Sequence, residues 1–326
     1  MIISRTPLRM SFVGGGSDLP AFYREHGGAV VSTAIDKYIY VTVNPKIDNG
    51  IRLSYSVTEE VRSVDEIRHE LVRMALRYLE LDGGLEITTI ADIPSRGTGL
   101  GSSSSFTVGL LHALNAFRHR YVSNEELGRY SCHIEIDLCG EPIGKQDQYA
   151  AAYGGLNLIE FQADESVIVS PIICRPETVR EIEAGLLVFY TGITRSASDL
   201  LREQSAGLVS SAQKQQAMRR MVELAYLLRE ELQRNNIEAL GEILHENWEL
   251  KKSLSSGVST GEIDSWYHAA RSAGASGGKL LGAGAGGFLM FHAPPERHEA
   301  IKAALPGLRP IDMRFEPLGS RIIFYH

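Results

Sequence analysis

Hydrophobic positions follow two different periods along the chain, and their order predicts a mixture of strands and helices. Residues 2–13 alternate and end at three successive glycines, which is typical of a strand that runs into a tight turn. Residues 29–43 are rich in β-branched and aromatic side chains and predict a long strand. Residues 64–81 carry apolar side chains at helical spacing, and residues 85–90 predict a short strand.

The rest of the chain continues this mixture. A helix is predicted from about Ser102 to His119, and Ser123 with Glu126 three residues later predicts a capping box for a helix that ends near Leu138. The later elements are strands at residues 155–161, 186–190, 280–291 and near 319–325, and helices at residues 197–235, 237–255, 261–273 and after Pro294 and Pro295. This order lacks the regular strand–helix alternation of a dinucleotide-binding domain and predicts an α+β fold.

The length of the chain favours two domains. One domain typically takes about 150 residues, and the chain has 326. The periodic pattern weakens after residue 161, and Pro171 and Pro176 interrupt it. We therefore place an N-terminal domain at residues 1–170 and a C-terminal domain at residues 171–326.

Composition and charge narrow the class of protein. The hydrophobic fraction of 44% and the charged fraction of 22% are typical of a globular chain and exclude a mostly disordered one. Lys and Arg total 33 and Asp and Glu total 40, so the net charge is −7, and no basic arm is present. Binding to nucleic acid or to an anionic membrane is not expected, because both require a basic surface.

The three cysteines and the N-terminal residues indicate the compartment. Cys132, Cys139 and Cys174 show no CxxC or Cys/His ligand spacing, which favours free thiols in a reducing environment. The first residues lack the apolar core of a signal peptide, and the weakly polar stretch at residues 280–291 is too short to span a bilayer. We expect a cytoplasmic protein.

A Gly/Ser-rich loop at residues 94–105 precedes a strongly apolar helix. Glycines let the backbone approach an anion closely, and the following helix directs its free N–H groups and positive dipole end towards that anion. No Lys is present, so the loop is not a Walker A motif. A flexible linker is the alternative, but a flanking strand and an apolar helix favour a phosphate cradle. The candidate nucleotide-binding residues are Gly97, Gly99, Leu100, Gly101, Ser102, Ser103 and Ser104.

Two further glycine clusters are less specific. Residues 282–287 can be aligned with GxGxxG, but a strand-like run follows where a dinucleotide fingerprint requires a helix. Close backbone packing and ligand binding both stay open for this segment. Residues 14–18 end in Asp18, which either belongs to an ordinary turn or accepts hydrogen bonds from sugar hydroxyls.

Three segments in order resemble motifs of the GHMP small-molecule kinases. The N-terminal motif corresponds to residues 6–9, the Gly-Leu-Gly-Ser-Ser motif to residues 94–105, and the C-terminal Gly-rich motif to residues 279–287. The resemblance covers almost the whole chain. It implies two α+β domains with an active site in the cleft between them.

Other segments look like one branch of this family. Residues 14–20, 141–149 and 191–197 look like the sugar kinases that act on heptose 7-phosphate, and residues 14–20 look, less closely, like fucokinases. Galactokinases carry Glu-His at the positions of Gly15 and Gly16, which argues against galactose as the substrate.

The resemblance implies an ATP-dependent kinase that uses Mg²⁺ and phosphorylates the anomeric hydroxyl of D-glycero-D-manno-heptose 7-phosphate. Such a product would feed nucleotide-activated heptose and surface glycan synthesis. A small sugar phosphate is the expected partner, and a homodimer stays open. The alternatives are a kinase of another sugar such as fucose, a kinase of a non-sugar alcohol, and a galactokinase-like nucleotide-binding regulator. Asp147, Arg9 and a full Gly/Ser loop favour an enzyme.

The resemblance also implies roles for individual residues. Asp147 would face the attacking hydroxyl as general base or hold it in place, and Arg9 would neutralise charge beside it. Ser103 and Glu135 match the metal-binding pair, with Asp137 as the second carboxylate candidate and His133 assigned no functional role. The candidate substrate-binding residues are Gly15, Gly16, Ser17, Asp18, Arg195 and Ser196, with Arg195 as the clamp for a sugar phosphate.

Overall fold

The structure of the protein is a computed structural model that describes residues 1–93, 98–193, 197–284 and 286–326. Helices and strands follow one another along these residues without a regular βαβ repeat. The predicted α+β class is confirmed.

The strands of the described residues form two sheets. They are β1 (Ile2–Val13), β2 (Gly28–Pro45), β3 (Ile51–Ser54), β4 (Thr58–Val61), β5 (Leu85–Ala91), β6 (Leu156–Phe161), β7 (Val167–Pro171), β8 (Leu186–Tyr190), β9 (Gly277–Leu280), β10 (Phe288–His292), β11 (Arg309–Pro310) and β12 (Arg321–Tyr325). The larger sheet has the order β12-β1-β2-β5-β3-β4, and β6 pairs with β2 and with β7. The smaller sheet has the order β11-β8-β10-β9. The C-terminal strand therefore covers the edge of β1 and belongs to the first sheet.

Helices cover these sheets and connect them. They are α1 (Pro20–His26), α2 (Glu70–Tyr78), α3 (Ser102–Phe117), α4 (Asn124–Cys132), α5 (Gln146–Tyr153), α6 (Pro176–Gly185), α7 (Ala197–Ser210), α8 (Ala212–Gln233), α9 (Glu238–Leu254), α10 (Gly261–Ser272) and α11 (His298–Ala304). Helix α3 packs on β1 and β2. Helix α9 contacts β1 of the larger sheet and β9 of the smaller one, so it links the two halves of the chain.

The helix predictions hold in outline, with local differences. The capping box is confirmed, because Ser123 Oγ accepts a bond from the Glu126 N–H and Glu126 accepts one from the Ser123 N–H. A π-helical segment, His133–Leu138, then continues α4. The single helix predicted for residues 197–235 is wrong, since α8 starts anew with Ser211 as its N-cap. Helix α5 was not predicted, because it is buried on most sides and shows no amphipathic period.

The single strand predicted for residues 280–291 is wrong. β9 ends at Leu280, β10 begins at Phe288, and the two strands pair antiparallel. The connecting segment includes Gly282 at φ +82° and Gly287 at φ +97°. These left-handed conformations are open to glycine and incompatible with a continuous strand.

The main hydrophobic core crosses between the two halves of the chain. Leu8 and Met10 of β1 belong to the same buried cluster as Leu224 and Leu228 of α8 and Met290 of β10. A second cluster surrounds Trp248 and Tyr267. No helix within the four described ranges is both long and apolar enough to cross a membrane.

Candidate active site

A cleft of about 1010 Å³ lies where the larger sheet, α3 and α9 meet. The end of β1, the glycine turn after it, the N-terminus of α3 and the segment before α5 line one part of this cleft. Lys251 of α9 and Lys279 of β9 reach it from the second half of the chain. Most of the predicted site residues that are described line this cleft, although they come from distant parts of the sequence. Ser17, Leu100 and Glu135 are buried and do not line it.

The described part of the Gly/Ser loop is held against β1. The Arg9 N–H donates to the Leu100 carbonyl at 3.1 Å, and Arg9 Nη1 donates to the Gly99 carbonyl at 2.6 Å. Gly101 is the N-cap of α3 with φ +74°. The first N–H groups of α3 have no partner within the helix, so Ser102, Ser103 and Ser104 present donors where the helix dipole is positive.

Arg9 and Asp147 form a bidentate ion pair at the centre of the cleft. Arg9 Nε and Nη2 lie 2.7 Å from the two carboxylate oxygens of Asp147. The Arg9 side chain is almost fully buried, whereas 24% of the Asp147 side chain is exposed. Asp147 lies in the first turn of α5, where the helix dipole stabilises an anion. The cleft therefore presents an oriented carboxylate with a guanidinium behind it.

Glu135 is buried beside the first turn of α3. It accepts hydrogen bonds from Ser104 Oγ at 2.8 Å and Thr107 Oγ1 at 3.0 Å, and a weaker one from Ser103 Oγ at 3.3 Å. Gln148 adds a fourth donor. Burial raises the pKa of Glu135 to about 7, although the bonds from Ser104, Gln148 and Thr107 oppose the increase.

The second carboxylate of this segment points away from the cleft. Asp137 is exposed and lies 2.8 Å from His133 Nδ1, on the outer surface of the π-helical segment. Ser103 is exposed at the N-terminus of α3, beside Glu135. Ser103 thus lines the cleft, Glu135 lies buried directly behind it, and Asp137 faces solvent.

The glycine turn after β1 presents its backbone and one carboxylate. Gly15 and Gly16 line the cleft together with Asp18. The Asp18 carboxylate accepts bonds from the Gly16 N–H and from the backbone N–H and side-chain amide of Gln146. Burial, and next the charge of Asp147, raise the pKa of Asp18. Ser17 instead bonds through its hydroxyl to the backbone of Ala29 on β2 and does not line the cleft.

Two glycine-rich segments meet at the edge of the cleft. A Cβ atom on Gly282 would lie 2.4 Å from the Gly99 Cα, and one on Gly287 would lie 2.3 Å from the Thr98 carbonyl oxygen. Of the two interpretations left open for residues 282–287, close backbone packing is therefore what the geometry requires. This packing fixes the position of the loop that leads into α3.

An apolar and aromatic end of the cleft was not predicted from the sequence. The rings of Tyr55 and His69 lie 4.7 Å apart in an edge-to-face arrangement, and His69 lies 5.2 Å from Phe106. Ile39, Leu71 and Ile93 also line this end. These residues come from five different segments, so no local motif identifies them. The surface suits a flat heterocyclic ring.

Lys251 and Lys279 were also missed as site residues. Lys279 is the first residue of the glycine-rich motif at residues 279–287, and this position is the sequence signal for it. Lys251 lies in the last turn of α9, where the helix dipole favours a cation, but nothing local distinguishes it from the neighbouring Lys252. Only the fold shows which of the two faces the cleft.

Three predicted site residues lie outside the described residues. These are Gly97 in the Gly/Ser loop and Arg195 and Ser196 before α7. Described residues flank Arg195 and Ser196. Before them, the Thr191 hydroxyl donates to the Gly287 carbonyl, and after them, the Ser198 hydroxyl donates to Glu141. Ser198 lines the cleft.

Two family models match the chain. The model of the GHMP kinases N terminal domain matches residues 69–155, and the model of the GHMP kinases C terminal region matches residues 228–308. The matched ranges include α3, Glu135 and Asp147 in the first case and Lys251 and Lys279 in the second.

Similar proteins cover nearly the whole chain. A D-glycero-alpha-D-manno-heptose 7-phosphate kinase from Campylobacter jejuni is 32% identical over 93% of this chain and 92% of its own length. The crystal structure of a D-glycero-D-manno-heptose 1-phosphate kinase from Bacteroides thetaiotaomicron superposes with a TM-score of 0.83, at 26% identity and full coverage of both chains. A bifunctional fucokinase/GDP-fucose pyrophosphorylase from Arabidopsis thaliana is 29% identical over 87% of this chain and 29% of its own length.

Proposed function

The chain belongs to the GHMP kinase family, and we propose that it phosphorylates the anomeric hydroxyl of D-glycero-D-manno-heptose 7-phosphate to give the 1,7-bisphosphate. Kinases of this family use ATP as co-substrate. The observation that carries the proposal is the Arg9–Asp147 pair in a cleft that also holds the N-terminus of α3. The similarity to a heptose 7-phosphate kinase supports this acceptor over other alcohols.

Asp147 is the residue proposed to contact the attacking hydroxyl. The acceptor oxygen forms a bond to the γ-phosphorus, the bond from that phosphorus to the bridging oxygen of ADP breaks, and the hydroxyl proton passes to Asp147. Arg9 holds both carboxylate oxygens, so it fixes the direction of Asp147 towards the acceptor. Its positive charge also stabilises the charge that develops during transfer.

The nucleotide is proposed to lie along the cleft from its aromatic end to α3. The base would contact Tyr55 and Phe106, and the phosphates would meet the free N–H groups of Ser102 and Ser103. Gly101 keeps the space between the start of α3 and Asp147 open, since a Cβ there would lie 3.2 Å from the Asp147 carboxylate.

The residues at the start of α3 suit a magnesium ion. No group of three or more His, Cys, Asp or Glu side chains that could hold a metal occurs among the described residues. Mg²⁺ needs fewer, since in kinases it takes one or two protein oxygens together with substrate phosphates and water. Glu135 and Ser103 are the proposed ligands, because a buried carboxylate with a raised pKa gains from a nearby cation. When bound, the ion neutralises charge on the β- and γ-phosphates.

Substrate contacts are proposed for the glycine turn. Gly15 and Gly16 line the cleft, and Asp18 is oriented by Gln146 near Asp147. A kinase acting on fucose is the second candidate, and the similarity to the fucokinase supports it.

An acceptor panel tests the function. ADP release with Mg·ATP is measured for D-glycero-D-manno-heptose 7-phosphate, mannose, fucose, galactose and mevalonate. We expect strong turnover with the heptose phosphate alone. Turnover with fucose instead would keep the kinase and overturn the acceptor, whereas tight ATP binding without any turnover would favour a regulator.

A matched pair of variants tests the catalytic residue. Asp147→Asn is expected to lower kcat by about 10²–10⁴-fold, the range for loss of a general base. Asp137→Asn changes a carboxylate ten residues away that faces solvent, and it should keep full activity. Equal activity of the Asp147→Asn variant and the wild type would contradict the mechanism.

A further inference from the structure

Two buried lysines of the cleft have no carboxylate partner among the described residues. Lys251 is 6% exposed and Lys279 is 4% exposed. Lys251 Nζ donates to the Gly15 carbonyl and to Gln204 Oε1, both at 3.0 Å. Lys279 Nζ donates to the Ser11 carbonyl at 2.8 Å. An ammonium has three donors, so three of the six N–H groups stay available.

Buried polar atoms without a partner surround the same place. Ser11 Oγ, Gln146 Oε1 and Gln204 Nε2 have no hydrogen-bond partner in the described part of the chain. Ser11 contacts Lys279 through its carbonyl, and Gln204 contacts Lys251. Buried polar groups without a partner are uncommon in folded proteins, so a bound ligand or ordered water is needed to pair with this cluster. The ligand must be polar, and it must carry acceptors for the lysines.

Among the described residues no carboxylate pairs with Lys279, which favours an anion beside it. Arg9 is already neutralised by Asp147, and Asp18 is the carboxylate whose charge acts on Lys251. Lys279 experiences only the repulsion of Lys251 and Arg9. Burial is the first cause that lowers the pKa of Lys279 to about 7 and that of Lys251 to about 8. An anion between the two lysines would reverse this penalty.

The position of Lys251 indicates which substrate brings the anion. Lys251 Nζ donates to the Gly15 carbonyl and to Gln204, and the Gln204 amide lies against Gly16. Neither of these two hydrogen bonds involves the loop at the start of α3. Lys279 reaches Ser11, two residues beyond Arg9 on β1. Both lysines therefore border the part of the cleft assigned to the acceptor, next to the reacting group.

We propose that Lys251 and Lys279 bind a phosphate group of the acceptor, so that the enzyme selects a phosphorylated sugar over the free sugar. This inference rests on the proposed function and adds residues that discriminate between acceptors. It assigns the phosphate contact to two described lysines, independently of Arg195.

The test compares two acceptors that differ only in the phosphate. The ratio of kcat/KM for D-glycero-D-manno-heptose 7-phosphate to kcat/KM for the free heptose is measured for the wild type, Lys251→Met and Lys279→Met. We expect the ratio to fall about 10- to 100-fold in each variant, as for the loss of a charge-assisted hydrogen bond. Lys252→Met is the matched control, because Lys252 is paired with Glu249 outside the cleft. Its ratio should equal that of the wild type.

Each other outcome has a distinct meaning. Equal losses with both acceptors would overturn the proposal, because the lysines would then serve the transferring phosphoryl group or the fold. An unchanged ratio in the variants of an active enzyme would overturn it as well. A wild type that does not use the heptose phosphate would instead overturn the proposed function.

Binding of inorganic phosphate gives a readout that does not depend on turnover. Calorimetry at pH 8 in two buffers of different ionisation enthalpy should show proton uptake by the wild type, because a bound anion favours charged lysines. Affinity should fall at least tenfold in both methionine variants and stay unchanged in Lys252→Met. Melting temperatures identify a variant that fails to fold, in which case Lys→Gln at the same position replaces it. Equal phosphate affinity in wild type and folded variants would overturn the proposal.

Discussion

At the scale of single residues, several ionisable groups are buried in and beside the cleft. Asp18, Lys251 and Lys279 line it and Glu135 lies behind Ser103, and each of the four is at least nine-tenths buried. Water stabilises their charged forms poorly there, so burial is the first cause of each pKa shift. Buried ionisable groups lower the stability of the folded protein, and a substrate or ion of opposite charge reduces this destabilisation. Such groups are therefore typical of a binding site and uncommon in a hydrophobic core.

Glu135 makes this cost measurable. Its pKa is raised from 4.5 to about 7, so the folded state binds more protons than the unfolded state between these values. The free energy of unfolding is therefore highest, as far as Glu135 contributes, below pH 4.5. It falls by on the order of 3 kcal/mol as the pH rises to 7. Glu135→Gln, which cannot titrate, should gain stability relative to the wild type as the pH rises from 5 to 8. Thermal unfolding in metal-free buffer measures this difference.

The control for this prediction is Glu126 of the capping box. Hydrogen bonds from Ser123 lower its pKa, so Glu126→Gln should not gain stability relative to the wild type at pH 8. A difference between Glu135→Gln and wild type that is the same at pH 5 and pH 8 would contradict the raised pKa of Glu135.

At the scale of elements, the decisive contact is between two loops that are far apart in the sequence. The loop before α3 and the loop between β9 and β10 approach so closely that neither tolerates a side chain at Gly99 or Gly282. In the sequence, these two loops form two separate glycine-rich motifs. Together they hold the N-terminus of α3 at the cleft.

Replacing Gly99 tests this contact. A Cβ atom there would lie 2.3 Å from the Leu281 carbonyl oxygen, and the residue has φ +76°. Gly99→Ala should lower the free energy of unfolding by on the order of 1–3 kcal/mol and weaken nucleotide binding, because the loop must shift. Denaturant unfolding and nucleotide titration measure the two effects.

Gly140→Ala separates the clash from the backbone strain. Gly140 has a similar φ of +68°, but its Cβ would meet no described atom within 4 Å. This variant should show only the smaller cost of a left-handed alanine, about 1–2 kcal/mol, and normal nucleotide binding. Equal effects of the two substitutions would contradict the packing argument.

At the scale of the whole molecule, the two halves of the chain share one core. β12 pairs with β1, α9 contacts both sheets, and Leu8 and Leu228 belong to the same buried cluster. The division at residue 170 into two domains stays a prediction. Each half buries part of its apolar surface against the other half, so the two halves stabilise each other.

The shared core predicts cooperative unfolding. Trp248 and Trp266 both lie in the second half of the chain, so fluorescence reports on that half, whereas far-UV circular dichroism reports on the whole chain. The two urea midpoints should coincide, because neither half keeps its core without the other. A fluorescence transition clearly separated from the dichroism transition would indicate independent domains.

The sequence alone determined the α+β class and the Gly/Ser loop candidate, because strand and helix periods and glycine-rich turns are local properties. Arg9 and Asp147 were identified only through the resemblance to GHMP kinase motifs. It also identified the capping box at Ser123. It failed for residues 280–291, where apolar composition suggested a strand and glycine conformation interrupts it.

Only the tertiary structure decided which charged residues share the cleft. It brings Lys251 and Lys279 beside Gly15 and Ser11 and turns Glu135, rather than Asp137, towards α3. It also assembles the aromatic end from separate segments. Burial and charge pairing arise from contacts between residues far apart in the chain, so no local pattern encodes them.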